Sequence, residues 1–566
     1  MSRRFLARAT LVTASLSVAG AVLGLVRDQT LARLFGAGRG TDAFLVAWTV
    51  PEFAATLLIE DGLAFALIPA FSRALSGRAR GAAGDPVRAL VGSTLPRLSL
   101  AFAAVGALLA ATAPQVVAAL APGLPGTALA VDCTRLTATC VLSFGLAGYC
   151  SAALRAHRRF FAPAAIYVAY NTGIIAAMVV LGGRLGVRSA AVGVAVGGCL
   201  MIAVQLPSLL ARLRRRSERG TATGAETGRG TESGTTTGTT TAPETAPETA
   251  PETAPETAPE NGPENGPGPG SVGRARPLGA AVVATVLLFA LCRQSQVLVE
   301  RFFASPLPAG AISHLNYAQK VAQMPMVLSL MVCTVTFPVV ARALADGDTD
   351  RARTRVERDL ALAASLVLLG TAGIVACAPQ IIEVLFQRGA FTAADTAATA
   401  AVMRVYALGL LGQTLTGVLV RSYFSAGRAA WYPVGAMAAG VAATTVLSAA
   451  AVGPWGVAGI AAANAAGITL TAVLLLAGMG ARSVPVRTRR VLRGLCGPAA
   501  AGLAAVPAGA WAAGRPRSAV AGLATGGLTA AAVFALLVLA LGAGGRVPAL
   551  RSVRSVTRRL THGRSR

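Results

Sequence analysis

Apolar runs long enough to cross a bilayer recur along nearly the whole chain, each followed by a short polar loop. A run of that length in hydrocarbon must be a helix, because only a helix satisfies its own backbone polar groups without water or a closed barrel. Charged residues make up 13% of the 566 positions, against about 25% in soluble domains, and the mean hydropathy is +0.62. The fold class is therefore an all-α polytopic membrane protein. Length and hydropathy predict about fourteen transmembrane helices, from a first core at residues 9–30 to a last at 518–543. The first run imitates a signal peptide, but it leads straight into Arg27-Asp28 and a patterned segment, which predicts a first spanning helix instead.

Arginine sets the orientation. The net charge is +27, yet the basic residues do not share one soluble face, so nucleic acid is not the expected partner. They gather before the first span (Arg3, Arg4, Arg8) and in loops after even-numbered spans, such as Arg73–Arg88, Arg155–Arg159, Arg212–Arg219, Arg342–Arg358 and Arg482–Arg490. Arg33, Arg39, Arg515 and Arg517 run against the trend. The alternation predicts a multi-pass protein of the cytoplasmic membrane with both termini cytoplasmic.

Five regions are predicted: an N-terminal lobe at 1–213, a linker at 214–277, a C-terminal lobe at 278–480, two further spans within 481–545 and a basic tail at 546–566. The linker is Gly/Thr-rich and then repeats Ala-Pro-Glu-Thr, a composition that cannot bury a core and is expected to be disordered. The two lobes echo each other. Pro69-Ala-Phe-Ser-Arg73-Ala-Leu75 returns as Pro338-Val-Val-Ala-Arg342-Ala-Leu344, Ala113-Pro114-Gln115 as Ala378-Pro379-Gln380, Arg158 with Pro163 as Arg428 with Pro433, and Gly186 as Gly453. The shared offset of about 265 to 270 residues indicates an internal duplication, and six spans per copy make it a parallel repeat. Such carriers place their substrate near mid-membrane between the halves.

Lys320 is the single lysine of the chain and lies inside the run 310–340. Asn316, Gln319, Lys320 and Gln323 share one helical face. A charge at mid-bilayer is unfavourable by about 2.5 kcal/mol or more, so this stripe should face a wet cavity or a partner. The bland alternative is a lysine near a helix end that snorkels to the interface. Arg27, Asp28, Asp42, Glu60 and Asp61 form a second group, in spans 1 and 2. Arg27-Asp28 reads equally as a local ion pair and Asp42 as a helix N-cap, whereas Glu60-Asp61 lies well inside its span. Arg293, Glu300 and Arg301 are further candidates, and Pro51 and Pro325 are expected to kink spans 2 and 8. The eight cysteines include no CxxC pair, and no HExxH, Walker loop or GxSxG occurs, so no enzyme chemistry, metal or cofactor is expected.

The run Gly24-Leu-Val-Arg27-Asp28, Ala32-Arg33-Leu-Phe35-Gly36-Ala-Gly38 and Thr41-Asp42-Ala43-Phe44, then Pro51, Glu60 and Pro69, resembles the MurJ/MviN family of lipid II flippases. Arg159-Phe-Phe-Ala-Pro163 with Asn171, and Phe386-Gln-Arg-Gly-Ala-Phe391-Thr, are similar to it too. The resemblance implies fourteen helices in two lobes around a cationic cavity. It also implies transport of the undecaprenyl-pyrophosphate-linked peptidoglycan precursor by alternating access, for cell wall synthesis. Arg27 and Lys320, with Asn316, Gln319 and Gln323, would then meet the substrate. Asp28, Asp42, Glu60 and Asp61 would couple or gate, driven by membrane potential, protons or a monovalent ion. Ala21 and Ala55 stand where the resemblance implies cavity arginines, and Lys320 where it implies another. Lipid-linked glycan, membrane lipids and cell-wall synthesis proteins at the linker or tail are the partners implied. A flippase for another polyprenyl-linked glycan, a multidrug or cation antiporter, and a non-transporting membrane scaffold are the alternative readings.

Overall fold

Every regular element is helical among the residues that the computed structural model describes, namely 3–60, 62–79, 85–157, 159–214, 280–334, 348–424, 430–483 and 486–543. Asp61, nearly all of the linker, the tail and several arginine loops lie outside them. In chain order the helices are α1 (Arg3–Phe35), α2 (Arg39–Ala47), α3 (Thr49–Ala54), α4 (Gly62–Ala79), α5 (Pro86–Ala111), α6 (Ala113–Leu120), α7 (Thr127–Ala138), α8 (Cys140–Ala156), α9 (Phe161–Ala164), α10 (Ile166–Leu185) and α11 (Arg188–Arg214). After the linker come α12 (Ala280–Ala304), α13 (Ala311–Ala322), α14 (Met324–Thr334), α15 (Thr349–Phe386), α16 (Ala393–Ala407), α17 (Leu410–Phe424), α18 (Trp431–Arg482), α19 (Thr488–Ala513) and α20 (Ala519–Ala543).

Ten of these stretches are long and apolar enough to span a membrane, and eleven if α16 and α17, bent by 47° at Leu408-Gly409, count as one. The α18 helix is 52 residues long, about 78 Å at 1.5 Å per residue, more than twice a hydrocarbon core of about 30 Å. It is broken at Gly456, whose φ of 52° and ψ of −130° are open to glycine and strained for other residues. The break falls three residues beyond Gly453, where the sequence echo locates it.

Residues Met1–Leu210 and Gly279–Arg566 form one contact unit, and Ala211–Leu278 separates from it. Within the larger unit α19 and α20 pack on each other and on α15. The principal core joins α2, α7, α8 and α10 to α13, α15, α16 and α18, so it runs between the two halves of the chain. Large apolar side chains such as Leu503, Leu528 and Leu536 point outward, as they must on a lipid-facing surface.

The two prolines act where expected. Pro51 has no N–H to offer the carbonyl of Ala47, and the helix breaks there at Trp48, between α2 and α3. The freed Ala47 carbonyl shares the Thr137 hydroxyl of α7, at 3.2 Å, with the Thr134 carbonyl at 3.1 Å, so a neighbour supplies part of the missing donor. Pro325 accompanies the break at Gln323 between α13 and α14. A π-helical turn, Ala55–Glu60, follows α3.

Candidate functional site

The breaks at Trp48 and Gln323 accompany the meeting of two groups of charges. From Ala311 to Lys320 the helix α13 rises about 14 Å, roughly half a hydrocarbon core. Lys320 occupies the last turn of α13, where the negative end of the helix dipole favours a cation. Its ammonium lies 3.5 Å from Asp28 Oδ2 and 5.5 Å from the centre of the Trp48 ring. It reaches sideways to these partners rather than along the helix to the interface.

Arg27 approaches from α1. Its Nε and Nη2 donate to Asp28 Oδ1 at 3.0 and 2.8 Å. Its Nη1 donates to Asn171 Oδ1 at 3.2 Å, and its guanidinium lies 4.3 Å from the Trp48 ring centre. Asp28 thus gives one carboxylate oxygen to each cation, and Trp48 lends its face to both. Asn171 is itself fixed by donating to the carbonyls of Gly20 and Tyr167 at 3.1 and 2.9 Å. Arg27 and Asp28 are 9% and 5% exposed, so each charge depends on these few partners.

A second ion pair crosses the halves beside the first. Arg301 of α12 donates to Glu52 Oε2 of α3 at 3.0 Å and to the Thr49 hydroxyl. Glu52 Oε1 accepts the Trp48 indole N–H at 3.1 Å. The adjacent Glu300 turns away and accepts the side-chain amide of Asn464. Glu300, Arg301, Asn316 and Gln319 line a small cavity with Val297 and Ile312. The Asn316 amide nitrogen is buried there without a partner, while Gln319 donates to the Tyr406 hydroxyl at 2.7 Å.

Asp42 does not cap its own helix, whose N-cap is Gly38. It caps α13 in the other half. Its carboxylate accepts the backbone N–H of Gly310 at 2.6 Å, the N–H of Ser313 at 2.8 Å and the Ser313 hydroxyl at 2.5 Å. An acid here supplies N–H acceptors that the first turn of α13 lacks. On the same side the Ala390 N–H donates to the Arg33 carbonyl at 2.9 Å, and the Gly123 N–H to the Ser305 hydroxyl at 3.2 Å. That end of the molecule is closed between its halves.

The structure brings Arg27, Asp28 and Lys320 into one cluster, with Asn316 and Gln319 on the cavity beside it. Gln323 sits at the helix break. Glu60 stands apart, accepting the Tyr167 hydroxyl at 2.8 Å. Arg33 and Arg301 do different things: one offers a carbonyl, the other its side chain. Sequence reasoning missed Trp48 and Glu52, although a carboxylate beside Pro51 inside an apolar run was a sufficient signal. Among the described residues no group of three His, Cys, Asp or Glu side chains could hold a metal ion.

A family profile described as lipid II flippase MurJ matches residues 31–230 and 274–525, well over half of the chain. The chain belongs to the MurJ family. Lipid II flippase MurJ of Burkholderia cenocepacia is 26% identical over 425 residues, covering 74% of this chain and 73% of that protein. Probable lipid II flippase MurJ of Bdellovibrio bacteriovorus is 28% identical over 201 residues, 35% of this chain and 38% of that one. A solved lipid II flippase MurJ in an inward closed conformation superposes with a TM-score of 0.69 at 17% identity, covering 93% of this chain and 98% of that one. An inward-facing MATE family transporter of the MOP superfamily gives 0.57 at 11% identity, over 82% and 95%. At these identities the structural likenesses establish the MurJ fold and no more.

Proposed function

We propose that this chain is a lipid II flippase, carrying the polyprenyl-diphosphate-linked peptidoglycan precursor across the cytoplasmic membrane by alternating access. The observation that carries this reading is Arg27 and Lys320 converging on Asp28 at mid-span, from opposite halves of the chain. Two cations that share one carboxylate can exchange it for a diphosphate, whose oxygens suit the arginine fork and the lysine charge. Asn316, Gln319 and Gln323 continue that polar face toward the glycan.

Fourteen spans fit this reading, with α18 counted as two and α2 to α4 as one broken span. Six form each lobe, at 1–213 and 278–480, and two lie within 481–545 beyond the duplication. Support for a parallel repeat comes from the six left-handed glycines among the described residues. Gly36 pairs with Gly310, Gly126 with Gly389 and Gly186 with Gly456, each about 270 residues apart and each between an odd span and the next even one. The arginine alternation sets both termini in the cytoplasm, with the Asp42 clamp on the outer side.

Asp42 then acts as the outer gate. Opening outward must pull its carboxylate from Gly310 and Ser313. Asp28, Glu60 and Asp61 are the carboxylates available to couple the cycle to membrane potential, protons or a monovalent ion. The linker and tail are the sites offered to cell-wall synthesis proteins. The deciding experiment depletes the resident lipid II flippase of a bacterial host, expresses this chain and assays lipid II on the outer face. Rescue is expected; failure with the protein present in the membrane would overturn the lipid II assignment.

A further inference from the structure

We propose that Arg301 is a third substrate-gripping cation, held by Glu52 while the cavity is closed and released to a diphosphate when the halves separate. The inference rests on the lipid flippase reading and goes beyond it in naming a new residue and its counter-charge. Arg301 is 4% exposed, and both of its side-chain acceptors, Glu52 and Thr49, belong to the other half of the chain. Its own neighbour Glu300 is occupied with Asn464. Any movement that parts α12 from α3 therefore strips Arg301 of both acceptors at once and frees its guanidinium for another anion.

Its position points to which anion. Glu52 is bonded through its second oxygen to Trp48, and the Trp48 ring is the surface against which Arg27 and Lys320 both lie. Arg301 is thus two side chains, Glu52 and Trp48, removed from the other two cations. It also lines the small cavity with Asn316 and Gln319, the polar face that leads down α13 to Lys320. In that cavity the Asn316 amide nitrogen is a buried donor without an acceptor. A guanidinium beside an unanswered N–H donor is a match for a second phosphate, since each phosphate oxygen accepts several hydrogen bonds and an arginine fork grips two at once. Arg27 and Lys320 suffice for one phosphate; Arg301 supplies the grip that distinguishes two.

The test compares undecaprenyl diphosphate with undecaprenyl monophosphate, binding to the purified full-length chain in detergent. Arg301→Gln should weaken the diphosphate roughly tenfold, the loss of one charge-assisted contact, and leave the monophosphate little changed. Glu52→Gln keeps an acceptor for Trp48 and removes the competing charge, so it should tighten the diphosphate. This variant retains the buried cation and keeps the test informative if Arg301→Gln fails to fold. The exchanged pair, Glu52→Arg with Arg301→Glu, should not recover diphosphate selectivity. Unchanged diphosphate affinity in Glu52→Gln, or recovery in the exchanged pair, would make the pair a strut between helices and overturn the proposal. A wild-type chain that binds neither lipid would overturn the flippase reading and this inference with it. A chain that binds both while Arg301→Gln shows no selectivity loss would overturn this inference alone.

Discussion

Asp28 holds two cations from two different helices, and each of its oxygens has a separate task. Lys320 is the more replaceable partner structurally, because its side chain is 25% exposed and Arg27 remains to answer Asp28. Lys320→Ala should therefore stay folded and abolish flipping at equal membrane abundance, measured by lipid II accessibility on the outer face. Normal flipping would remove Lys320 from the site. Thr137→Val should leave the Ala47 carbonyl without its donor and lower stability by about 1–3 kcal/mol, read as a lower midpoint of thermal unfolding in detergent. Lys320 was legible in the sequence because a solitary cation in an apolar run has few structural excuses. Glu52 was legible by the same rule, but its pairing was not, because Arg301 lies 249 positions away and no local spacing signals such a pair. Trp48 was hidden for another reason: an aromatic residue in a membrane helix reads as lipid-facing until its ring is seen beneath two cations.

The elements were more legible than their joints. Hydropathy located the runs, and proline located the two breaks, since both follow from local chemistry. It could not foretell that the break at Pro51 continues into a π turn, or that Asp42 caps a helix other than its own. Capping rules give the residue type at a helix start but not which helix will arrive there. Because Asp42 serves the first turn of α13, Asp42→Ala should weaken the contact by about 1 kcal/mol and loosen that end of the molecule. A cysteine placed at Ala311 should then react faster with a membrane-impermeant maleimide, and Asp42→Asn should fall between the two. Equal labelling in all three would show that the cap does not hold this end shut.

Across the whole molecule, the halves meet through the α1–α2 turn, the start of α13 and the turn after α15. A Cβ built on Gly123 would lie 2.7 Å from both the Cα and the Cβ of Pro306, so the two backbones must part by about 1 Å to hold a bridge between cysteines at these positions. In a background cleared of native cysteines, Gly123→Cys with Pro306→Cys should form a disulfide that stops transport and should recover on reduction. Transport with the bridge formed would mean that these halves need not part there.

The contacts at mid-span carry one more consequence. Arg27, Lys320 and Arg301 are set against Asp28 and Glu52, with Glu300 close by. With Glu300 ionised, three positive and three negative side chains leave this empty interior with no formal excess charge. The unloaded protein can therefore reorient in an electrically silent step, whereas a bound diphosphate adds its own charge to what moves. A potential of 100 mV acts on each moved charge with about 2.3 kcal/mol. Voltage should bias the loaded half of the cycle and leave the return indifferent, so charge displacement on a supported membrane should appear only after lipid II is added.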